Sequence, residues 1–537
     1  MIFLAEKNYS FLKGALLLTV AGAISRFIGA ISRIVLPRVI GPEAVGLLQM
    51  VYPVYSIFLI IAISGIPVAI SKLIAEQLAL GNRAGAQRIF QVASRFLFGA
   101  GLVSAVALFW LAPFIAVRII GDAGTILPLR VLSPAVVLIA LSSSLRGYFQ
   151  GVQQMRFSAI AQVLEQVVRV IVIVALAFLL QGQSVELAAS GAALGTVLGG
   201  GIGLFILMTA YLTKGRAYTR SGSRQLRRIA KKMAGTEVIK NIYRLALPIV
   251  FGALIYPISQ SFDALIIPRQ LQSIGYTQEL ARSLYGQLTG MAMALVHFPC
   301  VLTLGLGMAL IPAVSESLAK REWRLLYDRI DNSLWLSMAV GLPASVGLFV
   351  LAQPISTLLF KIPEVAVPLK AVAFSTVCIA LVETAVAILQ GLGRVVDPVC
   401  YLVIGALIKA VLTYSLTGIP QLGIKGAGLA AVVAVAIPAL LNFKALHKHI
   451  GYVPRVTQLV VKPVIASALM GLVTYQLYPV LEAYSYYLFA RINLVFTVSC
   501  AVVTALVVYV LTLVSIGGIP KRFYYLLLAA RDRITRL

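Results

Sequence analysis

Between residues 14 and 36 an apolar stretch carries Gly22, Arg26, Gly29 and Arg33 at steps of four, three and four. That spacing puts two guanidinium groups on one helical face. A second apolar stretch, 157–180, repeats the pattern with Gln162, Glu165, Gln166 and Arg169. Tyr256, Gln260 and Asp263 share a face further along, and Gln287, His297, Glu383, Gln390 and Lys409 also fall inside apolar stretches. A charge at the centre of a bilayer costs roughly 2.5–3.5 kcal/mol on insertion scales, so stripes this regular must face a cavity or one another. Arginine forks match phosphate oxygens, and a fixed cation in a low-dielectric wall attracts an anion strongly.

No acid lies on the face of Arg26 and Arg33, which makes them the first candidates for holding an anionic substrate. Glu165 and Arg169 lie four residues apart. They read equally well as an internal salt bridge and as part of the same site. His297, alone in its segment, reads as a satisfied polar residue. His447 and His449, in a basic loop, read as surface. The four cysteines are isolated in apolar segments, so neither a disulfide framework nor a metal site is expected.

The elements that carry these residues are membrane helices. Hydrophobic residues make up 60% of the 537, charged residues 12%, and the mean hydropathy is +0.97. These values lie outside the soluble globular range. Apolar segments predict fourteen spanning helices: 14–36, 45–70, 93–117, 131–150, 157–180, 187–212, 245–267, 285–314, 333–354, 370–390, 398–418, 426–446, 460–479 and 492–514. Ala21-Gly22-Ala23 resembles a signal-peptide cleavage site only superficially, because Arg26 and Arg33 follow in the same helix.

The net charge of +27 is spread unevenly. The loop 213–244 alone holds ten Lys and Arg, from Lys214 to Arg244, against one acid, Glu237. The positive-inside rule then puts this loop and both termini in the cytoplasm, where the basic loops meet anionic lipid rather than nucleic acid.

The chain also contains itself twice. Leu108-Phe109-Trp110-Leu111-Ala112 recurs as Leu348-Phe349-Val350-Leu351-Ala352, and Ile139-Ala140-Leu141 with Gln150-Gly151 recurs as Ile379-Ala380-Leu381 with Gln390-Gly391, all at an offset of 240. Arg169 recurs as Lys409 at the same offset. Looser echoes pair Ile66-Pro67 with Ile311-Pro312 and Gly191-Ala192 with Gly426-Ala427.

Two six-helix lobes follow: 1–213, and 245–450 after the basic linker 214–244, with 451–537 holding helices 13 and 14 and a basic tail. An even helix number makes their pseudo-two-fold run along the membrane normal, as in rocker-switch carriers. The pairs Pro53 and Pro67, and Pro299 and Pro312, are expected to bend helices 2 and 8 in matching places and to act as gates. The first lobe holds Arg26, Arg33 and Arg169 against Glu165. The second holds Lys409 against Asp263 and Glu383, the two places where a coupling cation fits.

Ser25-Arg26 with Gly29 and Arg33, Gly41-Pro42-Glu43, Gly46-Leu47, Tyr52-Pro53, Gly65-Ile66-Pro67, Ile70-Ser71-Lys72, Arg146-Gly147-Tyr148-Phe149-Gln150-Gly151, and Glu165-Gln166 with Arg169 resemble the polysaccharide-export branch of the multidrug/oligosaccharidyl-lipid/polysaccharide flippase superfamily. The likeness is strongest to the stage V sporulation protein B group and the related lipid II flippases, and is densest over the first 215 residues. It implies a flippase that exports an undecaprenyl-diphosphate-linked saccharide across the bacterial cytoplasmic membrane by alternating access, for cell-wall or spore biogenesis. It also implies a groove for the lipid tail at helices 13 and 14. The family's helix 1 arginine carries over to Arg26. Tyr55, Ser56 and His297 stand where Gram-negative lipid II flippases carry further arginines. Sodium-coupled relatives place carboxylates on helices 7 and 11; this chain has Asp263 on the first and Lys409 on the second.

No cofactor is expected, while coupling to a cation gradient or to the membrane potential stays open. A drug/cation antiporter of the same superfamily would share the fold but reads cations through acidic cavities. A polytopic glycosyltransferase or ligase would need catalytic acids or histidines in a sizeable outer loop, and the longest here, about 268–284, has only Glu279.

Overall fold

The computed structural model describes residues 2–63, 65–180, 182–215, 235–488 and 493–520. Most of the basic linker and the C-terminal tail, residues 216–234 and 521–537, lie outside the described residues. Among the described residues all regular structure is helical and no strand occurs. An apolar solvent satisfies no backbone N–H or C=O, so a chain of this composition must close its hydrogen bonds within each segment.

The first half comprises α1 (Ile2–Ile63), α2 (Ile66–Ala79), α3 (Arg83–Phe114), α4 (Ile126–Gly151), α5 (Met155–Leu179) and α6 (Val185–Ala210). There follow α7 (Gly235–Ser273), α8 (Gln278–Gly286), α9 (Met293–Ala319), α10 (Trp323–Val350), α11 (Ala352–Phe360), α12 (Ala366–Val372), α13 (Ser375–Gly391), α14 (Val396–Thr417), α15 (Ile424–Ile450), α16 (Lys462–Leu488) and α17 (Asn493–Ser515).

Among the described residues twelve helical stretches are long and apolar enough to cross a membrane, thirteen when the bent pair Pro363–Val372 and Ser375–Gly391 counts as one. Each expected span overlaps one of these. Expected helices 1 and 2 fall together in the first, Leu16–Ala79, which is 64 residues long. Its two parts meet at Gly41, whose φ of 77° and ψ of 167° break α1 where L-residues do not go.

Expected helix 2 does not bend at Pro67. It ends at a left-handed Gly65, and Pro67 sits in the first turn of α2, where a missing N–H breaks no hydrogen bond. Pro53, Pro299 and Pro312 lie inside helices.

The chain forms two compact units. One is Met1–Arg269 with Thr277–Gly286; the other is Gln270–Tyr276 with Gln287–Leu537. Their internal packing repeats at the offset seen in the sequence. A Cβ on Gly101 would meet Val137 Cα and Ala140 Cβ at 3.3 and 2.9 Å; one on Gly341 would meet Val377 Cα and Ala380 Cβ at 2.9 and 3.3 Å. Gly151 lies against the Ser71 carbonyl and Ile74, and Gly391 against the Ile311 carbonyl and Val314. The turns agree as well: Gly81 and Arg321 have φ 71° and 56°, and Gln153 and Gly393 have φ 59° and 78°. All of these pairs are 240 apart.

This register corrects the proline pairing. Ser71 matches Ile311, so Pro67 corresponds to Gly307 and Pro312 to Lys72, and the two prolines are not copies of one another. The looser echo of Gly191 with Gly426 does hold: Gly191 packs on Leu176 and Gly426 on Leu416. α5 and α14 are therefore matched at 240 through their length, which keeps Arg169 opposite Lys409 in the alignment of the copies.

Candidate functional site

In the first unit the two polar stripes face each other. α1 packs along α5, and its glycines make the fit: Gly22 approaches the Gln162 side-chain amide, and a Cβ on Gly29 would come within 2.9 Å of that of Gln166. Arg26 and Arg33 share this helical face, and both are exposed. Among the described residues neither is joined to a carboxylate. A guanidinium without a counter-ion beside neutral amides is a donor array for an anion.

Glu165 and Arg169 of α5 belong to a charge cluster. Glu165 Oε1 accepts a hydrogen bond from Arg169 Nη2 at 2.8 Å, and its Oε2 accepts one from Arg146 Nη2 at 2.5 Å. One carboxylate is thus shared by two cations, leaving a net positive charge. The Glu165 side chain is 13% exposed, those of Arg146 and Arg169 28% and 27%. α6 admits this cluster through a glycine stripe: Gly199 lies against Arg169 Cβ and the Glu165 carbonyl, and Gly203 against Glu165 Oε2. Any side chain at Gly203 would displace the carboxylate.

Tyr52 and Tyr55 of α1 complete the wall. The Tyr52 hydroxyl is 3.2 Å from the Thr196 hydroxyl. Tyr55, 4% exposed, lies within electrostatic reach of Arg169 and Glu165. Its hydroxyl has no hydrogen-bond partner among the described residues.

Sequence reasoning named Glu165 and Arg169 and missed Arg146. Arg146 stood in the Arg146–Gly151 motif, yet it lies no nearer the end of its apolar segment than Arg33 or Asp263 do in theirs. The rest of that motif builds the fold. Gly147 abuts Pro67, Gly151 abuts Ser71, and Tyr148 and Phe149 are wholly buried among Phe90, Phe157 and Tyr211. The Tyr148 hydroxyl donates to the Gly215 carbonyl at 2.6 Å. Arg146 instead reaches the Glu165 carboxylate of α5.

Asp263, 6% exposed, belongs to the first unit. In the second unit, Glu383 on α13 accepts a hydrogen bond from the Thr303 hydroxyl of α9 at 2.8 Å. The buried Cys300 lies close enough to feel its charge. Lys409 and His297 both have interaction partners. Glu165 corresponds at the repeat offset to Gly405, which packs on the Ala434 carbonyl and Pro438 of α15. Arg146 corresponds to Val386. The second copy keeps the α5 cation as Lys409 and drops the other two members of the triad.

A further charge cluster left no sequence signal, because its members are far apart in the chain. Arg282 of α8 holds Asp122 through Nε–Oδ2 at 2.5 Å and Nη2–Oδ1 at 2.6 Å, and Glu43 through Nη1 at 3.1 Å. Glu186 approaches at 4.0 Å. Here α8 crosses α1 at Gly46 and Gly286, where the two backbones leave no room for a Cβ.

His449 is not simply a surface residue. Its Nε2 lies 2.7 Å from Asp397 Oδ2, which joins the end of α15 to the first turn of α14. His447 Nδ1 lies 3.2 Å from the Tyr452 carbonyl. The Tyr452 hydroxyl donates to Asp331 at 2.6 Å; burial and then this bond push it above its ordinary pKa, so it keeps its proton.

Comparison with known proteins agrees with this architecture. Residues 11–274 match the family model described as "Polysaccharide biosynthesis protein", and 288–415 match the MatE model. Stage V sporulation protein B of Bacillus subtilis (strain 168) is 32% identical over 439 residues, covering 82% of this chain and 84% of that protein. Lipid II flippase MurJ of the same organism is 28% identical over 488 residues, covering 86% and 87%.

Among solved structures, "Lipid II flippase MurJ, inward closed conformation" superimposes with a TM-score of 0.69 at 13% identity, covering 93% of this chain and 98% of that one. An inward-facing multidrug resistance MATE family transporter gives 0.65 at 18% identity, covering 82% and 98%. These two likenesses are likenesses of fold.

Proposed function

We infer the function from a fixed premise: the chain belongs to the multidrug/oligosaccharidyl-lipid/polysaccharide flippase superfamily, in its polysaccharide-biosynthesis branch with stage V sporulation protein B. It is a multi-pass membrane transporter or flippase and not an enzyme. The reading we favour is that it exports an undecaprenyl-diphosphate-linked saccharide, a peptidoglycan or related polysaccharide precursor, with the diphosphate held in the first unit by Arg26, Arg33, Arg146 and Arg169. Both termini and the basic loops are taken to be cytoplasmic, in contact with anionic lipid.

One observation carries this reading: among the described residues, Arg146 and Arg169 share the one carboxylate of Glu165, and Arg26 and Arg33 are joined to none. A wall with that surplus attracts a diphosphate and repels a cationic drug. Lysine at 409 adds to the positive balance in the second unit, while Asp263 and Glu383 are the acids available for coupling. Mass spectrometry of lipids that copurify with the detergent-extracted protein tests the reading. Recovery of prenyl-diphosphate saccharides is the expected result. Their absence, together with saturable uptake of labelled organic cations by proteoliposomes, would favour the antiporter instead.

A further inference from the structure

Glu165 sits where it defeats the arginines beside it. A site built only to attract phosphate gains nothing from a carboxylate that takes one N–H from each of two guanidinium groups, at 2.8 and 2.5 Å. The fold does not require it either. The helix pair matched to α5 and α6 closes on Gly405, with neither the carboxylate nor the second cation present. The cluster is not saturated: Arg146 Nε, Arg169 Nε and the Tyr55 hydroxyl are buried without hydrogen-bond partners among the described residues. These donors outnumber what two carboxylate oxygens accept, and a diphosphate offers more oxygens.

We propose that Glu165 is a built-in stand-in for substrate phosphate, which occupies Arg146 and Arg169 in the empty carrier and competes with the substrate for them. The proposal rests on the diphosphate reading above. When substrate enters, its phosphate oxygens take the two Nη2 donors and the idle Nε and tyrosine donors, and the carboxylate is pushed aside. When substrate is to leave, Glu165 re-forms its pairs and displaces it. The carrier thereby avoids exposing two uncompensated cations when empty, and it avoids holding a multiply charged lipid too tightly to release. Among the described residues, Glu165 is paired with Arg146 from α4 and Arg169 from its own helix, with Tyr55 of α1 within electrostatic reach.

The test compares the full-length wild type with Glu165→Gln, using inorganic pyrophosphate as the binding probe and a fluorescent prenyl-diphosphate sugar for flux in proteoliposomes. Removing the competitor should tighten pyrophosphate binding about tenfold, in the range of one charge-assisted contact. Flux should show KM and kcat falling together, because release becomes slow. A purely structural carboxylate would instead weaken binding and lower the thermal midpoint.

Glu165→Asp keeps the charge with a shorter reach and serves if the glutamine variant is unstable. It should bind pyrophosphate more tightly than wild type by a smaller factor. Equal or weaker binding in both stable variants, with Arg146→Gln and Arg169→Gln weaker still, would overturn the stand-in and leave the diphosphate site intact. Pyrophosphate binding that is insensitive to all four substitutions would overturn both.

Discussion

Arg282 and Asp122 are 160 residues apart and share two hydrogen bonds, Nε to Oδ2 at 2.5 Å and Nη2 to Oδ1 at 2.6 Å. The fork faces the carboxylate edge-on, and a third donor reaches Glu43. Their side chains are 11% and 6% exposed, so this pair is removed from solvent, unlike the i,i+4 pair of Lys320 and Glu316 on the surface. Asp122 also caps the turn that opens α4 by accepting from the Gly124 N–H at 2.9 Å. The arginine therefore fixes α8, α1 and the start of α4 as one assembly.

Breaking such a pair leaves a buried charge alone, which costs about 3–5 kcal/mol. Arg282→Ala should lower the thermal unfolding midpoint in detergent by several degrees, while Arg282→Lys should recover only part, since a point charge cannot bridge both oxygens. Asp122→Asn in the Arg282→Ala background should recover part of the stability, because the more buried of the two paired carboxylates is then neutral while Glu43 stays charged. A midpoint for Arg282→Ala equal to wild type would show that the fork contributes nothing.

Arg26 is expected to be needed for transport and not for folding. It is exposed on α1, opposite Gln162 and Gln166, with no carboxylate partner among the described residues. Arg26→Ala should abolish complementation of a flippase-depleted strain while the protein still reaches the membrane in normal amount. Arg26→Lys should rescue partly, because it keeps the charge without the fork. Arg33→Ala should have the smaller effect. Complementation at wild-type level by Arg26→Ala would remove this arginine from the site.

Orientation can be checked independently of transport. From the charge distribution 213–244 is expected in the cytoplasm and 268–284 outside. In a background without the four native cysteines, Ser273→Cys should react with an impermeant maleimide in intact cells, and Ser221→Cys should react only after lysis. The opposite pattern would reverse the direction of export.

The repeat was legible because packing partners are copied along with the residues that hold them. Gly101 and Gly341 meet the same two positions of the neighbouring helix, so identities at an offset of 240 survive in otherwise ordinary apolar sequence. Proline echoes misled, since a proline is tolerated wherever a helix starts, and Pro67 starts one. Polar stripes on α1 and α5 were legible from helical periodicity, but their facing each other depends on Gly29 against Gln166, which no one-helix pattern contains. Arg146 was hidden inside a motif whose other members pack the core. The Arg282 cluster could not be read at all, because Glu43, Asp122 and Glu186 come together only through tertiary structure.

Coupling turns on Lys409. It matches Arg169 at the repeat offset, and the matched contacts Leu176–Gly191 and Leu416–Gly426 hold that register through the helix. In the first copy the cation is balanced by a carboxylate one turn earlier; in the second that place is Gly405. Lys409 therefore takes its polar partners from elsewhere. We propose that its ammonium serves as a tethered cation for the acid of its own unit, Glu383. A compact charge on a flexible stem suits that role.

Export should then proceed with sodium absent. Flux of the lipid-linked substrate in proteoliposomes, with sodium replaced by choline at fixed pH and membrane potential, should be unchanged in the wild type. Lys409→Asp should lose most flux in choline and regain part of it when sodium is restored, since it trades the tethered cation for a ligand. A strict sodium requirement in the wild type would reject the substitution. Flux of Lys409→Asp that ignores sodium would reduce the lysine to a part of the cavity wall.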